Sequence, residues 1–190
     1  MNAAVNAPTP VLWFDDEWGT EREPGLAPWQ RALHAEQSAG RLRLTMCNRI
    51  VEFARLLRES TAAANPSQRR FALLIIDVML TEEPEQSYRS LGFEDERVIK
   101  LDAGAQIAAL IRSSMHDRDR PEWLRGYVDV PMMLLSSSPN LTSLVSDKVG
   151  FRRMKSLKMV PKSLVTRAGH EGVDADEEFI ETVRELLAEE

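Results

Sequence analysis

The run from Phe71 to Leu80 constrains the fold of this chain more than any other stretch. It is apolar at every position except Asp77, and Asn65-Pro66 and Thr81-Glu-Glu-Pro84 lie on either side of it. Such a short apolar run between turn signals is typical of a strand buried on both faces of a parallel sheet; an apolar helical turn is the alternative. An aspartate that ends this strand would lie at the carboxyl edge of the sheet, where open α/β folds bind ligands.

The rest of the chain alternates short apolar strands with amphipathic helices. Strands are predicted at 11–14, 42–46, 71–80, 131–135 and 157–160, and helices at 28–39, 48–59, 102–112, 139–150 and 174–190. Five such units predict a parallel sheet with helices on both faces and right-handed crossovers. This pattern alone does not determine the order of the strands in the sheet.

Two connections, 81–101 and 113–130, are long for a compact domain. Connections of this length are expected to be functional, disordered or locally structured. Trp123 and Tyr127 in the second connection fit either a binding surface or a small satellite core.

The length of 190 residues predicts one domain, over 11–190, after a disordered tail at 1–10 that lacks the features of a signal peptide. The net charge of -6 argues against a general nucleic-acid or anionic-membrane binder. Cys47 is the single cysteine, which excludes an internal disulfide and a thiolate zinc site and indicates a reducing cytosol. No apolar run is long enough to span a bilayer, so we expect a cytoplasmic protein.

Polar side chains follow the predicted strands at equivalent positions. Asp15 and Asp16 follow the first strand, Asp77 ends the third, Ser136 ends the fourth and Lys162 closely follows the fifth. Each has an ordinary explanation by itself, as a helix cap, a turn residue or a solvated lysine. If the strands are parallel, however, all five groups lie at one edge of the sheet.

Three adjacent carboxylates raise one another's pKa unless a cation neutralises them. Oxygen ligands with room for water suit Mg²⁺, and Lys162 supplies a second positive charge. A carboxylate beside a divalent ion, an ammonium and a hydroxyl is suited to accepting a phosphoryl group, because catalysis of this transfer is mostly positioning and electrostatics.

Four stretches of the chain resemble the receiver domain of two-component response regulators. They are Val11-Leu-Trp-Phe-Asp-Asp-Glu17, Ile75-Ile-Asp-Val-Met-Leu80, Pro131-Met-Met-Leu-Leu-Ser136 and Val160-Pro-Lys162. The resemblance covers about residues 11–188. It implies an α/β, flavodoxin-like (βα)5 doubly wound parallel sheet of order 2-1-3-4-5, with long insertions after strand 3 and before strand 4.

The resemblance also implies roles for single residues in phosphoryl transfer. Asp77 matches the phosphorylated aspartate. Ser136 matches the hydroxyl that turns toward the phosphoryl group, and Lys162 matches the lysine that pairs with that group.

A Mg²⁺ site is implied in the same way. Asp16 matches the direct metal ligand and Asp15 its water-mediated neighbour, while Asp77 and the main-chain carbonyl of Met79 would complete the shell.

By this resemblance we expect the chain to be a stand-alone response regulator. It would take a phosphoryl group from a histidine kinase or phosphotransfer protein and signal through an unknown downstream protein partner. It would be no enzyme beyond self-catalysed phosphotransfer and autodephosphorylation, and neither a membrane nor a nucleic acid is an expected partner.

The chain departs from the family pattern at several positions. Ser163 follows Lys162 where proline is usual, Met159 replaces the usual aromatic switch residue, and Thr81 replaces a common proline. These departures and the insertions motivate an alternative, a receiver-like interaction adaptor that acts without phosphorylation. A phosphatase with an aspartyl-phosphate intermediate is a third hypothesis, but it usually needs a second carboxylate where this chain has Met79.

Overall fold

The computed structural model describes residues 7–16, 28–61, 71–81, 84–93, 102–112, 120–136, 156–162 and 175–188. Its five strands are β1 (Thr9–Phe14), β2 (Leu42–Cys47), β3 (Leu73–Asp77), β4 (Met132–Ser136) and β5 (Leu157–Pro161). All neighbouring strands are parallel, and their order is β2-β1-β3-β4-β5. The predicted flavodoxin-like order 2-1-3-4-5 is therefore confirmed.

Four α-helices occur in the described ranges: α1 (Pro28–Ser38), α2 (Ile50–Thr61), α3 (Ala103–Arg112) and α4 (Ala175–Ala188). Each matches a predicted helix to within a few residues at either end. In α4, Phe179, Ile180 and Val183 are buried, as their helical spacing predicts. The helix predicted at 139–150 lies outside the described residues.

The sheet is buried on both faces because alternate residues of its central strands enter two separate apolar clusters. In β1, Leu12 and Phe14 pack with α2 and α3, whereas Val11 and Trp13 pack on the face that α1 and α4 cover. This two-sided burial explains why β3 is almost continuously apolar in the sequence.

The first strand begins earlier than predicted. Thr9 donates its backbone N–H to the carbonyl of Arg41 at 3.1 Å, and the carbonyl of Pro10 accepts from Ala72 at 2.8 Å. The predicted disordered tail at 1–10 is therefore wrong for Thr9 and Pro10, which belong to β1. Pro10 fits there because a proline is tolerated near the start of a strand. Residues 1–6 lie outside the described part of the chain.

Parts of both long connections are folded against α2. A 3₁₀ helix, Glu85–Leu91, buries Tyr88, and a second, Glu122–Tyr127, buries Tyr127. Tyr127 and Ser60 of α2 are joined by a hydrogen bond between their hydroxyl groups, and the Arg58 guanidinium lies 5.1 Å from the centre of the Trp123 ring. Of the two interpretations of Trp123 and Tyr127, packing against the core is therefore the one observed.

A buried carboxylate joins α1, the residue before β2 and α4. Glu36 accepts two hydrogen bonds from Arg41, at 2.6 and 2.8 Å, and one from Arg184 at 3.1 Å. The hydrogen bond from Arg41 and the charges of both arginines lower the pKa of Glu36, although its burial opposes this.

We expect Glu36→Gln to destabilise the protein at pH 7 by about 1 kcal/mol, because it removes a paired buried carboxylate. Since the pKa of Glu36 is lowered by folding, the stabilisation is complete above its unfolded pKa and is lost as the pH falls through the folded value. Urea denaturation at pH 7 and pH 3 measures this difference. Glu181→Gln is the matched control, because Glu181 is exposed and 3.5 Å from Arg184; an equal loss in both variants would contradict the prediction.

Candidate functional site

The carboxyl ends of four strands bring the predicted site residues to one edge of the sheet. Asp15 and Asp16 follow β1, Asp77 ends β3, Ser136 ends β4 and Lys162 follows β5. Asp77 is 2% exposed and Ser136 is fully buried, and Asp15 and Asp16 are buried as well. Because all strands are parallel, these carboxyl ends lie at the same edge of the sheet, as the sequence predicts.

The three aspartates form one cluster. One carboxylate oxygen from each of Asp15, Asp16 and Asp77 lies within 4.8 Å of the other two. The strand register explains this closeness, because Phe14 of β1 lies beside Ile76 of β3 and the next residues on both strands are aspartates. The β1 end is also held on its other side, where Asp15 donates its N–H to the carbonyl of Cys47 at 3.2 Å.

Lys162 crosses from the edge strand β5 to this cluster. Its Nζ lies 3.0 Å from Oδ2 of Asp15 and 3.0 Å from Oδ2 of Asp77, and its side chain is only 13% exposed. Pro161 pairs with Ser136 in the β4–β5 register, which places Lys162 just beyond the end of the sheet. The long lysine side chain can therefore reach past β4 to the aspartates of β1 and β3.

Burial and the neighbouring charges shift the pKa values of Asp77 and Lys162. Burial raises the pKa of Asp77 to about 7, and the carboxylates of Asp15 and Asp16 add to this effect against the opposing charge of Lys162. Burial disfavours the charged form of Lys162, but Asp77 and Asp15 outweigh it, so the pKa of the ammonium is raised. Lys162 is therefore a permanent cation at neutral pH.

The cluster has the chemistry of a divalent-cation site. Asp77 Oδ1 is buried and accepts no hydrogen bond from any group in the described ranges. Three oxygen donors with an excess of negative charge suit a hard cation such as Mg²⁺. Met79 is half-buried directly beyond β3; the assignment of its carbonyl as a metal ligand stays a prediction.

Gly104 is a site-positioning residue whose contact the sequence did not specify. Its N–H donates to the carbonyl of Val78 at 3.1 Å, and a Cβ built on it would lie 2.0 Å from the carbonyl oxygen of Asp77. Only glycine permits this approach of α3 to the backbone that carries Asp77. The run of small residues from Ala103 to Ala105 indicated close packing, but not against which atoms.

Neither a scan against protein-family models nor a search of curated proteins found a match to this chain. Among the described helices, none has the length and apolar character needed to cross a bilayer.

We expect Asp77→Asn to stabilise the ion-free protein above pH 7 by about 1–3 kcal/mol. Because burial raises the pKa of Asp77 from 3.8 to about 7, the native state holds more protons than the unfolded state between these values. The stability of the unmodified protein thus falls as the pH rises through this window, and asparagine removes that dependence. Thermal melts in a chelator from pH 5 to 8 measure it.

Asp129→Asn is the matched control, because Asp129 is exposed and precedes the opposite end of β4. A Tm for Asp77→Asn that stays at or below that of the unmodified protein across this pH range would contradict the prediction.

Gly104→Ala should destabilise the protein by about 1–3 kcal/mol or more, because the new methyl group meets backbone atoms that cannot move aside cheaply. Gly40→Ala is the control: Gly40 has φ +73° with nothing near its Cβ position, so only backbone strain of about 1 kcal/mol applies. Urea denaturation compares the two, and a milder loss at Gly104 than at Gly40 would contradict the assigned contact.

Proposed function

We propose that this chain is a response-regulator receiver that accepts a phosphoryl group on Asp77 from a phosphohistidine donor, with Mg²⁺. One observation carries the proposal: the Lys162 ammonium lies 3.0 Å from the buried carboxylates of both Asp15 and Asp77. Lysine, acidic pair and acceptor come from three separate strand ends. The resemblance to receivers requires that these three groups lie close together.

Asp77 is the nucleophile in this proposal. One of its carboxylate oxygens attacks the phosphorus atom, and the bond between phosphorus and the donor's imidazole nitrogen breaks. The bonding electron pair stays on that nitrogen, which takes up a proton. A carboxylate whose pKa is about 7 is partly ionised at neutral pH, so the nucleophilic form is present.

Lys162 and Ser136 would act on the transferred group. The ammonium of Lys162 is already at the acceptor carboxylate, where it would offset negative charge on the phosphoryl oxygens. The hydroxyl of Ser136 at the end of β4 would donate a hydrogen bond to one of these oxygens.

Asp15, Asp16, Asp77 and the main-chain carbonyl of Met79 would hold the Mg²⁺ ion. The ion supplies positive charge that the three buried carboxylates and the phosphoryl oxygens require together. The buried Oδ1 of Asp77, which has no hydrogen bond from the described residues, supports this assignment.

Signalling would proceed through contacts with other proteins. A histidine kinase or phosphotransfer protein would act upstream in the cytoplasm, and an unknown protein would bind downstream. Because Met159 occupies the place of the usual aromatic switch and packs against the core, the readout would start from the end of β5 at Lys162.

The test is incubation of the full chain with a small phosphodonor and Mg²⁺, followed by mass spectrometry and hydroxylamine treatment. We expect a single acyl phosphate that disappears in Asp77→Asn and persists in Asp129→Asn. Labelling should fall at least about tenfold in Asp16→Asn, since one of the proposed Mg²⁺ ligands is lost and the ion is needed to offset the phosphoryl charge. A chain that stays unmodified under these conditions would end the receiver proposal.

The folded additions on α2 favour one second candidate, the phosphorylation-independent adaptor. Glu85–Leu91 and Glu122–Tyr127 enlarge the protein surface around α2 without contributing to the cluster of aspartates. An adaptor would bind its partner equally well before and after Asp77→Asn, with or without Mg²⁺. Binding of the partner to the unmodified protein and to Asp77→Asn, each with and without Mg²⁺, therefore distinguishes the two candidate functions.

A further inference from the structure

β2 is the outermost strand on its side of the sheet. Among the strands that the structure describes, none lies beyond it. The carbonyl of Cys47 accepts the N–H of Asp15, so the backbone groups of the odd-numbered residues of β2 point toward β1. Because this direction alternates along a strand, the N–H and carbonyl groups of Leu42, Leu44 and Met46 point outward. A row of outward backbone groups can pair with a strand of another chain.

The side chain of Gln37 covers this outer edge at its midpoint. Leu44 donates its backbone N–H to Oε1 of Gln37 at 2.9 Å, and Leu44 is the central residue of the three whose backbone points outward. Gln37 itself is an exposed residue in the last turn of α1. Its hydrogen bond therefore occupies the donor that a strand paired at this edge would use.

A tight turn between α1 and β2 places Gln37 beside the strand. Gly40 has φ +73° and donates its N–H to the carbonyl of Gln37 at 2.9 Å. Arg41 donates its N–H to the carbonyl of Glu36 at 3.1 Å. These two bonds form the Schellman motif that ends a helix at a left-handed glycine. The turn reverses the chain, so the last turn of α1 lies against the edge of β2.

The sequence of β2 is suited to pairing with a copy of itself. A two-fold axis at Leu44 would pair the two strands antiparallel, with Leu42 of each copy opposite Met46 of the other. Arg43 of each copy would lie opposite Thr45 of the other, so no like charges would face each other. The side chains of Leu44 and Met46 pack inward on the apolar cluster, which leaves the backbone of the edge as the surface for a partner.

We propose that Gln37 keeps this protein from pairing through β2 with a second copy of the chain. The side chain occupies the central N–H that both copies would need in order to join their sheets. Because such a pairing is symmetric, each copy would have to release its own Gln37 hydrogen bond, which opposes association twice. This inference is independent of the proposed function.

Sedimentation equilibrium of the full chain over a wide range of concentrations tests the proposal. We expect Gln37→Ala to self-associate about tenfold more tightly or better than the unmodified protein, because one opposing hydrogen bond is removed from each copy. Ser38→Ala is the matched control, because Ser38 is the next exposed residue of α1; its self-association should equal that of the unmodified protein. A Gln37→Ala variant that associates no more than this control would overturn the proposal.

Hydrogen exchange of the Leu44 amide, measured in dilute protein, tests the contact itself. The amide should exchange about fivefold faster in Gln37→Ala, since its acceptor is lost. Gln37→Glu should retain the protection, because a glutamate of the same length keeps an oxygen that can accept the N–H. An unchanged exchange rate in Gln37→Ala would show that Gln37 does not shield the edge.

A charge at position 45 tests whether the association uses β2. In the Gln37→Ala background, Thr45→Lys would face Arg43 of the other copy and should weaken self-association several-fold, whereas Thr45→Glu should strengthen it by a similar factor. If both substitutions change the association equally, the copies meet through another surface and the assignment to β2 is wrong.

Discussion

The ion pairs of Lys162 with Asp15 and Asp77 are the interaction on which the site depends. Three carboxylates buried at one edge of a sheet repel one another, and desolvation opposes their ionisation. A single ammonium at 3.0 Å from two of them reduces this unfavourable energy. The lysine can do so because β5 is parallel to β4, so its carboxyl end lies at the same edge of the sheet.

This compensation is incomplete, and the negative charge that the lysine leaves uncompensated makes the site suited to a further cation. Burial keeps the pKa of Asp77 at about 7 in spite of the lysine, so the site is unfavourable for folding and favourable for accepting positive charge. Strained or charged groups of this kind persist where the surrounding fold is stable enough to hold them. Here the apolar strands β1, β3 and β4, buried on both faces, supply that stability.

The two 3₁₀ helices in the long connections pack on the face of the sheet opposite to α1 and α4. Tyr88 and Tyr127 extend the apolar cluster over α2, and Arg58 lies over the Trp123 ring. The described parts of these connections are thus local packing elements on a standard sheet. They enlarge the surface around α2 without altering the strand ends that carry Asp77 and Ser136.

The sequence by itself determined the alternation of strands and helices and the residues at each strand end, because both follow from local patterns of apolar side chains. The strand order came from the resemblance of four motifs, not from periodicity. Only the tertiary structure decided that Lys162 bridges Asp15 and Asp77, that Gly104 touches the Asp77 backbone, and that Trp123 packs beside Arg58. These contacts join segments far apart in the chain, and their distances depend on register and packing that no local pattern encodes.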